Sequence, residues 1–499
     1  MHRIVFMLIL AVAAAARLWF GDAGVPHAVG IDEPQVVGRA IAILRTGDWN
    51  PHVFDYPTLV IYVHACVAIV RFLWGALQGE WSSLDAFTIE AIYGAGRFVA
   101  ALIGVATVWL TYRLAREIGS RPVALLAAAL LAVRPLHIRE SHFILTDVPM
   151  TALTTLAVWL SLRAARRHDI RAYAWAGAAC GLAAAAKYNG GIALVAPLAA
   201  WIVSERRATQ RFLTLAAIVG AAAAAFIAGA PYTLLDMPRF LDGFAAQFSR
   251  FAAPSGAGEP PWIVYLTHLS PDWARFSVPL ALTGAGILLA SRQTRRLAAP
   301  LLAFTLAYFY TLATHSHVFG RYALPLLPIV CLLWSVAVLW LVAQARRLAP
   351  FQKPLAAQLP LAAAVALLLW PPAAEAVRWL DQYKRADTRA IAAAWLKGNT
   401  PKGTRVAVEN NGPTYLESAG FRVAAAQVLV DHPIDWYRAR ADYLVISAAD
   451  LSRYAEYTSA GATVFQVTPT AQRWGPGILI VRLAPHGVNS QLHNAAIPK

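Results

Sequence analysis

Apolar runs long enough to cross a hydrocarbon core of about 30 Å recur through the first three quarters of this chain. No other feature limits the fold as strongly. A segment in lipid must satisfy its own backbone N–H and C=O groups, so such runs fold as α-helices. Spans are expected near 4–20, 56–76, 92–112, 122–136, 148–163, 172–186, 190–203, 211–231, 276–291, 298–314, 325–343 and 355–371. Only 14% of residues are charged and the mean hydropathy is +0.51, as a polytopic protein requires. After Pro371-Pro372 the pattern turns soluble. Strand-like runs (Arg405–Val408, Tyr443–Ser447, Thr463–Val467, Ile478–Leu483) alternate there with helical ones (Thr388–Leu396, Leu451–Ser459). The expected fold is a polytopic α-helical membrane protein with roughly 11 to 13 transmembrane helices and a small C-terminal α/β domain. The division is 1–371 and 372–499, with outer loops at 21–55 and 232–275.

A net charge of +16 is compatible with nucleic-acid binding, but its distribution is not. Arginines cluster in short loops between spans: Arg113/Arg116/Arg121, Arg163/Arg166/Arg167/Arg171, Arg206/Arg207/Arg211, Arg292/Arg295/Arg296 and Arg346/Arg347/Lys353. That is the bias of cytoplasmic loops. Acids sort the other way: of those preceding Glu375, only Glu117, Asp169 and Glu205 lie in the arginine-rich loops. Any chemistry therefore belongs to the outer side, with the C-terminal domain. Cys66, Cys180 and Cys331 all fall in apolar spans and read as small core residues. The N-terminus reads as an uncleaved first span rather than a signal peptide.

The charge rule leaves one conflict. Counting back from the C-terminus places Asp147, Lys187 and the His315–Tyr322 loop outside. Counting forward from an inside N-terminus places Asp32 outside too, yet three spans separate it from Asp147. Either a hidden crossing lies near 77–91, or one short span is not a true crossing.

Candidate chemistry begins with Asp32-Glu33-Pro34, just after the first span. An acid cap followed by proline starts a helix, expected to run to Thr46 and stop at Gly47. Val36, Val37, Ala40, Ile41 and Leu44 would form its apolar stripe along the membrane surface. Two acids here exceed what a cap needs, and Asp55-Tyr56-Pro57 stands at the mouth of the next span. Asp147 opens another span, with His137, Glu140 and His142 nearby. That His-x-x-Glu-x-His set matches no hydrolytic zinc motif, so no metal is expected. Arg97, Lys187 and Arg321 are outer-side cations that would suit a lipid phosphate. Phe240, Phe244, Phe248 and Phe251 mark a helix that either lies in the interface or packs onto the protein.

In their order along the chain, Asp32-Glu33, Gly47-Asp48, Tyr56-Pro57, Arg97, Thr146-Asp147-Val148-Pro149, Lys187-Tyr188-Asn189 and Arg321-Tyr322, with Pro325 and Pro328 beyond, resemble the GT-C glycosyltransferases. The likeness covers roughly residues 1–345, with Asp387-Thr388-Arg389 typical of the soluble tail. The nearest branch is the bacterial phospholipid-carrier-dependent group, which includes lipid A aminoarabinose transferases and is related to protein O-mannosyltransferases. Tyr56-Pro57 departs from that branch, which carries lysine-proline-proline at this point.

The resemblance implies an inverting transfer on the periplasmic face of a bacterial inner membrane. The donor would be a polyprenyl-phosphate-linked sugar and the acceptor a lipid, glycan or protein. Asp32 would be the base, positioned by Glu33 or Asp147. Arg97, Lys187 and Arg321 would hold the donor phosphate, while Asp55, Tyr56, His142, Tyr188 and Tyr322 would bind substrate. Neither a cofactor nor a catalytic metal is expected, and nucleic acid is not a partner. The competing classes are a lipid-carrier flippase and a periplasmic polysaccharide ligase or polymerase. No Gly/Pro-broken spans pair in matching halves, as transport would favour.

Overall fold

The computed structural model describes residues 2–167, 169–204, 208–252, 259–269, 274–314, 318–348, 359–447 and 452–484. The chain forms two compact units, one of residues 1–21 and 35–379, the other of residues 22–34 and 380–499. The apolar run near 355–371 continues as one helix through Pro371-Pro372 to Gln382, and the units divide at Leu380.

The first unit is helical: α1 His2–Leu18, α2 Glu33–Thr46 (shared at its first turn with the second unit), α3 Leu59–Leu77, α4 Ile89–Ile118, α5 Arg121–Ala132, α6 Pro135–Glu140, α7 Asp147–Arg167, α8 Ile170–Ala186, α9 Val195–Ile202, α10 Ala208–Gly229, α11 Tyr232–Leu235, α12 Met237–Ala252, α13 Pro261–Leu269, α14 Ala274–Ala290, α15 Arg295–Thr314, α16 Leu327–Leu348 and α17 Leu359–Gln382. Short 3-10 turns at Tyr188–Leu194 and Gly320–Leu326 lead into α9 and α16. Among the described residues, seven helical segments are long and apolar enough to cross a membrane, and three shorter apolar ones accompany them.

Two groups of contacts mark the ends of the bundle. At the arginine-rich end, Glu117 of α4 accepts from Trp159 of α7 and pairs with Arg166 at 3.4 Å. At the acid-rich end, Arg97 of α4 donates to the Gly21 carbonyl beyond α1, and Asp147 at the start of α7 meets Lys187 at the end of α8. Phe6 stacks on Tyr112 at 4.1 Å, so α1 and α4 run antiparallel.

The same landmarks locate both ends of α3. Length and composition make α3 a membrane crossing, but both of its ends lie at the acid-rich end. At its start Thr58 donates to the carbonyl of Gly229, the last residue of α10. At its close Phe72 packs on Phe87, which precedes α4 on the far side of Arg97 from Glu117. The contacts decide, because a helix whose two ends share one side has not crossed.

Helix α2 stops where the sequence stops it: Gly47 adopts φ +73°, a left-handed conformation that favours glycine. Its buried stripe is Val36, Val37, Ala40 and Ile43, with Ile41 and Leu44 only partly covered. Cys180 and Cys331 are core residues, whereas Cys66 is exposed.

A close backbone approach joins α8 to α10. A Cβ on Gly177 would lie 2.3 Å from the Ile218 carbonyl oxygen, and one on Gly181 would lie 2.1 Å from that of Ala222. This Gly-x-x-x-Gly face lets the helices touch through their backbones, where dispersion replaces a hydrophobic driving force.

The second unit holds β1 Ala386–Asp387, α18 Thr388–Asn399, β2 Arg405–Glu409, β3 Arg422–Ala426, β4 Tyr443–Ser447, β5 Gly461–Val467, β6 Arg473–Trp474 and β7 Ile478–Leu483. The main sheet has the order β3-β2-β4-β7-β5, with β2 parallel to β3 and β4, and β7 antiparallel to β4 and β5. Apolar clusters cover both faces. Buried Glu409 closes the end of β2, accepting from Leu429 N, Ser447 N and the Tyr454 hydroxyl at 2.9, 2.7 and 2.6 Å. Strand β3 had no sequence signal, because Arg-Val-Ala-Ala-Ala is as fit for a helix as for an edge strand.

Replacing Gly181 by valine is expected to destabilise the protein by about 1–3 kcal/mol or to abolish folding. The readout is the melting temperature of detergent-purified protein. Gly220→Ala on α10, where a new methyl meets nothing within 4 Å, should leave it unchanged.

Candidate active site

Three helix junctions converge at the acid-rich end of the first unit. Asp147 is the first residue of α7, with its side chain 3% exposed. Its Oδ1 lies 2.6 Å from Lys187 Nζ, at the break between α8 and the following 3-10 turn. Its Oδ2 lies 3.6 Å from Arg321 Nε, in the turn that feeds α16. Lys187 also sits 4.3 Å from the centroid of the Tyr322 ring, and the Arg321 guanidinium is 4.8 Å from Phe319. One carboxylate thus gathers two cations, and aromatic faces back both.

Lys187 and Tyr322 stand in the wall of a cavity of about 270 Å³. Asp55, Tyr56, Tyr188 and Asn189 line it as well. Asp55 accepts from Arg39 Nη2 of α2 at 2.8 Å and from the Tyr56 amide at 3.1 Å. Tyr188 donates to the Phe54 carbonyl at 3.0 Å. Phe240 and Phe244 of α12 spend themselves on the protein: Phe240 meets Phe54 edge-on at 5.9 Å, and Phe244 meets Tyr188 at 5.3 Å. The side chains of Phe248 and Phe251, and residues 315–317 of the outer loop, lie outside the described residues.

The structure therefore joins Asp147, Lys187 and Arg321 as one cluster, with Tyr322, Asp55, Tyr56 and Tyr188 around the cavity. Arg97 and His142 are placed otherwise. Arg97 is 3% exposed, donates to Gly21 O at 3.2 Å and packs between Tyr93 and Phe143. His142 is 2% exposed, with its ring nitrogens 2.8 Å from Ile138 O and 3.0 Å from Trp19 O. Burial lowers its pKa to about 4. Those contacts brace the α6–α7 connection against the chain leaving α1. Glu140 pairs with Arg139 at 2.7 Å; burial raises its pKa, and Arg139 opposes that rise. Among the described residues, no group of three or more His, Cys, Asp or Glu is placed to hold a metal ion.

Asp32 and Glu33 belong to the second unit. Glu33 is fully buried and its Oε2 accepts from the Gly30 amide at 2.7 Å, while its own amide donates to Gly30 O at 3.0 Å. That reciprocal pair closes the turn in which Asp32 stands half-buried.

Tyr308 and Arg39 went unread in the sequence. Tyr308 is fully enclosed, lines the cavity, donates to Tyr322 O at 3.2 Å and receives Asn189 Nδ2 at 3.2 Å. On the stripe Phe304, Tyr308, Leu312 it looks like ordinary helix packing. Only its hydroxyl, which needs a partner when buried, was a signal.

Residues 91–232 match the model of the dolichyl-phosphate-mannose-protein mannosyltransferase family. No curated protein matches the sequence significantly. Among solved structures, ArnT from Cupriavidus metallidurans bound to undecaprenyl phosphate superposes with a TM-score of 0.61 at 16% identity, covering 95% of this chain and 97% of that one. The apo oligosaccharyltransferase of Archaeoglobus fulgidus gives 0.59 at 14% identity, covering 89% and 69%. The same archaeal enzyme in complex with an inhibitory peptide and a dolichol-phosphate gives 0.58 at 15%, with the same coverage. The chain has the GT-C fold and is a multi-pass membrane protein.

Lys187→Met leaves a buried carboxylate with only part of its compensation and is expected to cost about 3–5 kcal/mol. Combined with Asp147→Asn, the loss should be smaller than the sum of the two single changes. Thermal unfolding of the three variants in one detergent measures this.

Proposed function

We propose that this chain is an inverting glycosyltransferase. It moves a sugar from a polyprenyl-phosphate donor to a lipid, glycan or protein acceptor on the periplasmic face of a bacterial inner membrane. The observation that carries this reading is the convergence of Lys187 and Arg321 on Asp147 beside an aromatic-lined cavity at the acid-rich end. Structures of the same fold in complex with undecaprenyl phosphate and dolichol-phosphate add support.

In this reading Asp32 takes the proton from the acceptor. The acceptor atom attacks the anomeric carbon from the face opposite the phosphate. The bond from that carbon to the phosphate oxygen breaks, and its electron pair leaves with the phosphate. Lys187 and Arg321 meet the charge that develops, an electrostatic role that is strongest in a water-poor site. Because two fixed cations supply this charge, the proposed reaction needs no metal and should persist in chelator. Glu33 and Asp147 act on geometry: one closes the turn around Asp32, and the other holds the two cations together.

Asp32→Asn should insert and fold normally yet lose transfer by on the order of 10²-fold or more. Arg321→Ala should lower kcat by about 10²–10³-fold. The assay is release of free polyprenyl phosphate from labelled polyprenyl-phosphate sugar by purified protein. Full transfer by Asp32→Asn would defeat the assignment of the base, and movement of intact donor without cleavage would indicate a flippase.

A further inference from the structure

The segment that delivers Asp32 is fastened by two residues of the C-terminal chain. Thr414 makes three contacts with it. Its hydroxyl donates to Pro26 O at 2.7 Å, its amide donates to His27 O at 3.0 Å, and its carbonyl lies 2.7 Å from His27 Nδ1. Arg389 makes a fourth, donating from Nη1 to Val29 O at 3.1 Å. The next residue is Gly30, whose amide and carbonyl are both held by Glu33. The attachments thus run from Pro26 to Glu33 with Asp32 inside the last turn.

The anchor itself is stiff. Arg389 is 8% exposed and binds Asp387 through Nε and Nη2 at 3.0 and 2.8 Å. Asp387 also caps α18 by accepting from the Arg389 amide at 2.8 Å. Of the four contacts to segment 22–30, three end on main-chain carbonyls of that segment, at positions 26, 27 and 29. Backbone bonds fix register whatever the side chains, and register is what a residue three positions downstream requires. A domain that merely packed on a loop would need apolar area, not a series of contacts to its carbonyls.

We propose that Thr414 and Arg389 are positioning residues for Asp32, so that the C-terminal unit serves transfer by setting the geometry of the acid turn. This rests on the reading of Asp32 as the base. Thr414→Val removes the hydroxyl at nearly constant volume, Thr414→Ser restores it, and Arg389→Gln removes the donor to Val29. Amide deuterium exchange in residues 22–34, read on full-length protein without substrate, should quicken about threefold to tenfold in T414V and R389Q. Protection in β2, β4 and β7 should stay at the wild-type level. In the release assay kcat should fall by a similar factor with KM for the donor unchanged, and T414S should recover both. If R389Q also loosens the strands, the T414V and T414S pair decides. Faster exchange with unchanged kcat, or unchanged exchange, would overturn the proposal while an inactive Asp32→Asn left the base assignment standing. Full transfer by Asp32→Asn would remove both.

Discussion

Buried arginines that satisfy the open ends of helices hold the acid-rich end of the first unit together. Arg17 is fully buried in α1 and donates to the carbonyls of Leu131 and Ala132, which close α5. Arg134 reaches Leu269 O, the last residue of α13, at 2.7 Å. Arg97 takes Gly21 O, just past α1. Carbonyls at a helix C-terminus carry partial negative charge and no intrahelical partner, so in a medium poor in water each needs a donor. The arginines let helices stop short of a full crossing: α5 has twelve residues, about 18 Å at the usual rise. Interrupted helices leave room for the cavity and supply the junctions at which Asp147, Lys187 and Arg321 meet.

The lateral course of α3 is of the same kind. It is apolar enough for lipid, yet it begins beside Gly229 and finishes beside Phe87. Its first residues are tied to the chain that follows α2, with Tyr62 donating to Trp49 O at 2.9 Å. A helix tethered in this way covers its side of the bundle without changing the side on which the chain emerges. Hydropathy cannot see this, because it reads composition and not where the ends are fastened.

Much was legible for identifiable physical reasons. Apolar runs gave the helices, arginine clusters gave the ends, and Gly47 gave the stop of α2. Strands β4 and β7 could be read to the residue, because alternating β-branched runs between turn signals have few other uses. The order of motifs gave the fold. What stayed hidden depends on partners distant in sequence. Lys187 and Arg321 read as phosphate ligands, and that Asp147 also gathers them follows only from packing. For Arg97 and His142 the sequence offers the chemistry but not the backbone carbonyls that they meet. Residues 22–34 read as part of the outer loop 21–55, and the contacts of Thr414 and Arg389 show that they fold with the C-terminal chain.

The charge count at Asp147 bears on turnover. Two cations and one anion leave the cluster with one formal positive charge. A sugar-linked phosphodiester carries one negative charge, and the phosphate monoester released from it carries up to two. In the proposed reaction that charge balances the monoanionic donor and attracts the leaving dianion more strongly, the ordering that favours bond cleavage. Under that proposal the same attraction would slow the departure of the spent carrier lipid. An enzyme built this way would be paced by how fast the membrane draws that lipid away, so carrier recycling and sugar transfer would be kinetically linked.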